Sequence, residues 1–279
     1  MRKLLMMIMW LPFLLFSQPY EALGPSKIFL NSFDNLTTFP SSISGYNNFI
    51  TFSTGNYVNP VGILMRWQKF GSFVYLNDST MNVSAAYFTF NREIGFNFAY
   101  KSSSCIYFTA SGGYATPFAK FYAYIKVLTN TPEFVSGGLK IEKEINDQSL
   151  AGTYVNATKD SVNVMADYML APTDNRIFFI GGGISFKSGH GSPMLTVGAY
   201  FPVFNWLYLK FSGDYVRNQE YSTTYIVKRF GINIEYQDFS LSFELNPRIL
   251  VTPPYIYSGV VVEENPVISA TILYRFHAF

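Results

Sequence analysis

The chain has 279 residues, of which 49% are hydrophobic and 19% aromatic, and its formal net charge is +2. A charge this small, with no run of Lys or Arg, argues against a nucleic-acid partner. The single cysteine, Cys105, excludes an internal disulfide. With only His190 and His277 beside it, this cysteine has no spacing typical of a metal cluster, so neither a metal nor another cofactor is predicted.

The first residues have the pattern of a secretory signal. Arg2 and Lys3 precede an apolar-rich run from Leu4 to Phe16, and Ser17 follows it. A helix needs about 20 apolar residues to cross a bilayer, so this run is too short for an anchor. We therefore predict that residues 1–17 are a cleaved signal peptide; the alternative is a retained anchor helix.

The next segment, residues 18–60, is rich in Ser, Asn and Phe and alternates poorly. It could plug or cap the interior of the fold that residues 61–279 form, add edge strands to that fold, or stay loose. Of these alternatives, partial insertion into the interior is favoured.

From Val61 onwards, apolar residues recur at every second position. Clear examples are Ile94–Tyr100, Phe121–Val127, Val162–Leu170 and Phe239–Leu245. This period of two is that of a β-strand with two different faces, and no helical period competes with it. We predict an all-β fold for residues 61–279, a transmembrane antiparallel up-and-down β-barrel with an apolar outer face. The best count is fourteen strands beginning near Val61, or twelve if two early pieces merge.

Short turns punctuate the predicted strands. They fall at residues 77–79, 131–132, 172–175, 202–205 and 237–238. If the last strand runs from the outside to the periplasm, counting backwards along fourteen strands places all of them at the periplasmic side. Two long connections, Glu144–Asp160 and Leu250–Pro266, then lie outside the cell, which is the usual asymmetry of such barrels.

The last strand has the clearest alternation. Its apolar face carries Ile268, Ala270, Ile272, Tyr274 and Phe276, and its polar face carries Ser269, Thr271 and Arg275. With the signal, the repeated strands and this Tyr274-Arg275-Phe276 ending, the chain resembles a bacterial outer-membrane β-barrel protein. The resemblance implies a location in the outer membrane, with its lipid and the barrel-assembly machinery as partners. Phe279 lies out of phase with the strand, so either Phe276 or Phe279 could be the residue that the barrel-assembly machinery recognises.

A shorter stretch, Asn59-Pro60-Val61-Gly62, is similar to the Asn-Pro-Ala-Gly stretch of fatty-acid-transporter-like barrels.

Charged residues fall on the strand faces opposite the apolar rows, where they are predicted to line the lumen, since charges at membrane depth must face water or each other. The predicted lumen residues are Lys120, Lys126, Lys140, Asp167, Lys210, Asp214, Arg229, Glu235, Glu244 and Arg275. Lys143 and Lys228 instead fall on the lipid rows, near the predicted outer ends of their strands, where a Lys can snorkel.

These features favour a passive channel for small solutes. The first alternative is a barrel that is shut by residues 18–60 and that acts as a scaffold through its outer loops, with Val260–Val262 as an apolar contact. The pattern indicates neither a particular solute nor an oligomeric state.

The second alternative is a lipid hydrolase built on His190-Gly191-Ser192. A His can activate a Ser hydroxyl as a nucleophile, and the pair resembles the His-x-Ser of outer-membrane phospholipases and lipid A deacylases. Those families orient the His with an Asn or Glu, for which Asn205 is the nearby candidate. However, the Gly and Pro residues between Lys187 and Pro193 predict a hairpin loop, so we expect the chain not to be an enzyme.

Overall fold

The structure is a computed structural model that describes residues 33–55, 61–77, 80–101, 105–130, 133–146, 148–173, 176–187, 189–218, 223–246, 248–251, 260–262 and 267–276. The predicted signal peptide, residues 1–17, lies outside these residues, as do His277 and Phe279. The signal peptide therefore stays a prediction, and so does the choice between Phe276 and Phe279.

Antiparallel strands make up most of the described chain. They are preceded by helix α1 at Phe33–Thr38 and a 3-10 helix, η1, at Pro40–Gly45. In chain order the strands are β1 (Phe49–Gly55), β2 (Val61–Trp67), β3 (Phe70–Asn77), β4 (Thr80–Phe88), β5 (Arg92–Lys101), β6 (Cys105–Ala115), β7 (Lys120–Leu128), β8 (Glu133–Asn146), β9 (Ser149–Thr158), β10 (Ser161–Thr173), β11 (Arg176–Lys187), β12 (His190–Phe204), β13 (Leu207–Asn218), β14 (Thr223–Tyr236), β15 (Phe239–Asn246), β16 (Arg248–Val251), β17 (Val260–Val262) and β18 (Val267–Arg275). Among the described residues, no helix is long and apolar enough to span a membrane.

The strands close on themselves. Each strand from β1 to β15 pairs antiparallel with the next, β15 pairs with β18, and β18 pairs with β1. Within the described residues this makes a wall of sixteen strands, in which every strand has a neighbour on both sides. β16 continues β15 along β14, and β17 pairs with β16, so these two strands lengthen the last hairpin and add nothing to the count.

The closed antiparallel barrel confirms the predicted fold class, but the predicted counts of fourteen and twelve strands are wrong. The first missed strand, β1, lies inside residues 18–60, so the wall begins at Phe49 rather than near Val61. The second, β9, lies inside the predicted loop Glu144–Asp160. β9 has only small or β-branched residues in its outer row, among them Ala151 and Thr153, and therefore gives no aromatic alternation to recognise.

The extra strand β9 also changes which turns share a rim. The connections at 78–79 and 131–132 lie at the same rim as the β9–β10 turn, opposite the turns at 174–175, 205–206 and 237–238. The prediction that all the short turns lie on one side is therefore wrong. Of the second predicted loop, Leu250–Pro266, the described residues belong to β16 and β17, and residues 252–259 and 263–266 lie outside the description.

The pairing register separates an apolar outer face from a more polar inner one. On β5, Phe96 and Phe98 are 45% and 54% exposed, whereas Asn97 between them is 2% exposed. The same contrast recurs on β13, where Phe211 and Tyr215 are exposed while Lys210 and Asp214 are buried. An apolar belt around a closed barrel is what contact with lipid requires.

Candidate functional site

Residues 33–48, which we call the insert, pack against the inner face of the barrel. Leu36 and Ile43 are fully buried in a cluster with the wall residues Leu64 and Phe73. Further round the wall, on β7, β9 and β10, Phe39 packs into a second cluster, whose wall residues are Tyr124, Tyr154 and Met165. The insert therefore contacts the wall from β2 to β10.

Phe39 is held by three aromatic rings. Its ring lies edge-on to Tyr124, Tyr154 and Tyr122, with centroid distances of 5.0, 6.1 and 6.2 Å. Edge-to-face pairs at these distances are favourable beyond the area that they bury. The three tyrosines come from β7 and β9, so this contact fixes the insert against that side of the wall.

Hydrogen bonds tie the insert to charged and polar wall residues. The Ser41 backbone N–H donates to Ser111 Oγ at 2.9 Å. The Ser44 hydroxyl donates to Glu93, and the Arg66 guanidinium donates to the Ser44 carbonyl oxygen. These bonds satisfy polar backbone groups that the insert would otherwise bury unpaired.

Two wall glycines allow the insert to approach this closely. A Cβ at Gly95 would lie 2.2 Å from Ser41 N and 2.4 Å from Pro40 C, which are backbone atoms that cannot rotate away. A Cβ at Gly71 would lie 2.3 Å from Ile43 Cγ2. The backbone of η1 therefore lies directly on the wall at Gly95, where any side chain would displace it.

A buried cation sits beside the insert. Lys140, 6% exposed, forms an ion pair with Glu142, with Nζ and Oε1 2.5 Å apart. The same Nζ lies 5.6 Å from the Phe39 ring centroid and 5.4 Å from that of Tyr122, within the range of a cation–π contact. Lys140 thus joins wall and insert electrostatically.

A second polar cluster lies on the wall formed by β12 to β15. Lys210 Nζ donates to Ser242 Oγ at 2.8 Å and lies 3.5 Å from Glu244 Oε1. Lys210 and Glu244 are 1% and 2% exposed. Lys210 is in register with Gly231 on β14, which is in register with Glu244 on β15. Since glycine has no side chain, the Lys210 chain can cross β14 to reach Glu244.

Two further carboxylates follow in one register row. Asp167 on β10 pairs with Gly181, which pairs with Thr196, which pairs with Asp214 on β13. The Thr196 hydroxyl donates to Asp214 Oδ1 at 2.9 Å, and both carboxylates are buried. The row places two acidic groups on the inner face with a glycine between them.

Nearer the rim that carries the β14–β15 turn, aromatic and amide groups surround Glu235. Asn233 Nδ2 and the Tyr200 hydroxyl donate to Glu235 Oε1 at 2.7 and 3.3 Å. Tyr200 and Tyr208 stack with a centroid distance of 5.0 Å and an interplanar angle of 3°. This end of the inner face is thus hydrogen-bonded and rigid.

All ten predicted lumen positions belong to inward-facing rows. Lys126 is half-buried, with Nζ 4.9 Å from the Tyr107 ring centroid, while Lys120 is exposed at the end of β7. Arg275 is half-buried, and the side chain of Arg229 is outside the described part of the chain. That these residues line a water-filled passage stays a prediction.

Several inner-face residues were missed because they carry no charge or no clear period. They are Leu36, Phe39 and Ile43 of the insert and the small polar residues Ser53, Thr196, Asn233, Ser240 and Ser242. The alternation of Ser240, Ser242 and Glu244 with Phe239, Leu241 and Phe243 is a signal that could have identified part of this set. The insert residues offered none.

The residues considered for lipid hydrolysis do not come together. His190 and Ser192 are at the start of β12, so the predicted hairpin loop is shorter than expected and turns at residues 188–189. Asn205 follows the other end of this fifteen-residue strand, about 50 Å from His190 at the usual rise per residue. Asn205 therefore cannot orient His190.

In the part of the chain that the structure describes, no group of three or more His, Cys, Asp or Glu residues could hold a metal ion.

Solved structures with a similar fold are bacterial outer-membrane proteins. A bacterial polysaccharide outer membrane secretin matches with a TM-score of 0.57 and 10% identity, over 83% of this chain and 98% of its own. A mutant of the Rh. blastica porin matches with a TM-score of 0.56 and 9% identity, over 82% and 99%. Acinetobacter baumannii OccAB3 matches with a TM-score of 0.51 and 8% identity, over 82% and 97%.

The fold is that of a bacterial outer-membrane β-barrel. This confirms the resemblance inferred from the alternating strands, and with the apolar belt it agrees with the predicted location in a bacterial outer membrane. No family model matches the chain, and no curated protein matches it.

Proposed function

We propose that the protein is a passive outer-membrane channel for small solutes. The observation that carries this proposal is the closed sixteen-stranded wall with an apolar outside and charged rows inside. About eight strands already suffice for an interior filled by side chains, whereas barrels of about 16 strands leave an aqueous channel. The likeness in fold to a porin supports the same function.

The passage is narrow. The insert occupies the lumen beside β2 to β10, and on the remaining wall Lys210, Asp214 and Glu244 are almost fully buried. We therefore expect conductance well below that of an unobstructed barrel of sixteen strands, with small ions as the solutes that pass most readily.

The test is single-channel conductance of the refolded protein, without residues 1–17, in a planar bilayer. We expect discrete, salt-dependent steps from wild type. Asp214→Asn keeps the shape of the side chain and removes one negative charge, so the reversal potential in a salt gradient should shift toward anions.

Glu133→Gln is the matched control. Glu133 is exposed at the first residue of β8 and pairs with Lys159 at 3.0 Å, so its loss should leave the reversal potential unchanged. Absence of steps from demonstrably inserted protein would overturn the proposal.

A further inference from the structure

The outer face of the barrel carries a furrow that interrupts the apolar belt. It is a cavity of about 600 Å³ on β8 to β12, within the range of about 300–1,000 Å³ that is usual for small-ligand sites. Its floor is the register row Thr153, Ala166 and Gly182, and its ends are Ile141 and Leu195.

Two charged residues line this furrow, Lys143 and Asp167. Asp167 belongs to the inward-facing row of β10 and is buried, whereas Lys143 follows Ile141 by two residues on the outer face of β8 and is exposed. The sequence placed Lys143 near the outer end of its strand, but β9 reverses that assignment. Lys143 lies three residues before the end of β8, at the rim that also carries the β10–β11, β12–β13 and β14–β15 turns.

The furrow leads from this rim toward the middle of the wall. Ile141 is five residues from the end of β8, whereas Leu195 is nine residues from the end of β12. A cation at the interface and an apolar trough that rises from it match the two parts of a phospholipid, an anionic phosphate and an acyl chain. Tyr168 and Ile180 form one wall of the trough.

We propose that the furrow is a binding site for an anionic glycerophospholipid, with an acyl chain over Thr153, Ala166 and Gly182 and the phosphate at Lys143. A free, water-soluble anion does not fit this site, because the trough is apolar and faces hydrocarbon. The proposal depends on the membrane location and not on channel activity, so conductance plays no part in its test.

The test is native mass spectrometry of the purified protein in detergent, with phosphatidylglycerol or phosphatidylcholine added. We expect wild type to retain phosphatidylglycerol preferentially. Lys143→Gln should reduce that preference about fivefold, as expected for the loss of one Lys near an anionic lipid surface. Lys69→Gln removes an exposed charge in the β2–β3 turn at the same rim, away from the furrow, and should leave the preference unchanged.

A second variant fills the trough. A Cβ at Gly182 would meet nothing closer than Met194 O at 3.4 Å, so Gly182→Leu can extend into the furrow without a backbone clash. It should reduce retention of both lipids, and heat-dependent mobility on a gel reports whether the barrel has folded.

Equal retention of the two lipids by wild type, or an unchanged preference in Lys143→Gln, would overturn the proposal. So would a wild-type oligomer that Gly182→Leu converts to monomer without loss of lipid, since a second copy of the chain would then cover the furrow.

Discussion

Lys210 and Glu244 meet across a strand because the residue between them is Gly231. The resulting ion pair is almost completely buried, whereas the pair of Lys159 with Glu133, at the rim that carries the β9–β10 turn, is exposed. Removing one partner of a buried pair leaves an uncompensated charge, which is more costly than the loss of the pair as a whole. In the exposed pair, the hydrogen bond to Glu133 raises the pKa of Lys159, but water solvates either partner after the loss of the other.

Lys210→Met should therefore reduce the free energy of unfolding by about 3–5 kcal/mol. The measurement is the urea midpoint of the protein folded into lipid vesicles. Lys159→Met is the control and should shift the midpoint little, while adding Glu244→Gln to Lys210→Met should restore part of the loss. Equal effects of the two single variants would contradict the contribution assigned to the buried pair.

The insert is an element whose position depends on the wall rather than on its own regular structure. α1 and η1 have six residues each, too few for stable isolated helices. Their contacts with Leu64, Phe73 and the tyrosines of β7 and β9 supply the stabilisation that such short helices lack. The close approach of η1 to Gly95 makes this arrangement sensitive to one methyl group.

Gly95→Ala should displace η1 and raise single-channel conductance, because the added Cβ meets backbone atoms of Pro40 and Ser41. Gly112→Ala on the neighbouring strand is the control, since its Cβ would meet nothing closer than Glu93 O at 3.8 Å. If Gly95→Ala folds and conducts like wild type, the insert does not narrow the passage.

At the scale of the whole molecule, the two rims of the barrel differ in the side chains that they expose. Exposed aromatic residues lie within the turns or at the last strand residue of one rim, at Trp67, Phe90, Phe118, Trp206 and Tyr236. At the other rim the described turn residues are Thr129, Asn130, Lys159, Asp160 and Gly189, and the nearest exposed aromatic residues, Tyr100, Phe134 and Phe186, lie one residue inside the strand ends. Aromatic side chains favour the membrane interface, so the rims should meet it differently.

The strand count can be checked by labelling from one side of the membrane. With sixteen strands Asn130 and Asp160 share a rim, and Asp238 lies at the other; with fourteen, the turn at Asn130 would lie with Asp238. In a Cys105→Ser background, a membrane-impermeant maleimide applied to intact cells should therefore modify Asn130→Cys and Asp160→Cys but not Asp238→Cys. Equal labelling of Asn130→Cys and Asp238→Cys would contradict the sixteen-stranded wall.

The size of the outward side chains decides which strands can be predicted from the sequence. Strands such as β5 and β15 were recognised because Phe and Tyr alternate with Asn, Ser or Glu along them. β9 is not predicted because its outer row has no aromatic residue. Without β9, Lys143 is assigned to the wrong rim. At the site, the charged inner positions followed from the same alternation, while the insert contacts did not.

The sequence by itself determined that the strands have two faces, that the apolar face points outward, and which charges share the inner face. These properties follow from a period of two, which is local and repeats along each strand. Only the tertiary structure decided how many strands close the wall, that Lys210 reaches Glu244 over Gly231, where the insert docks, and that small residues on three strands make a furrow. Each of these depends on the register between strands distant in sequence, which is set by packing across the whole barrel rather than by neighbours along the chain.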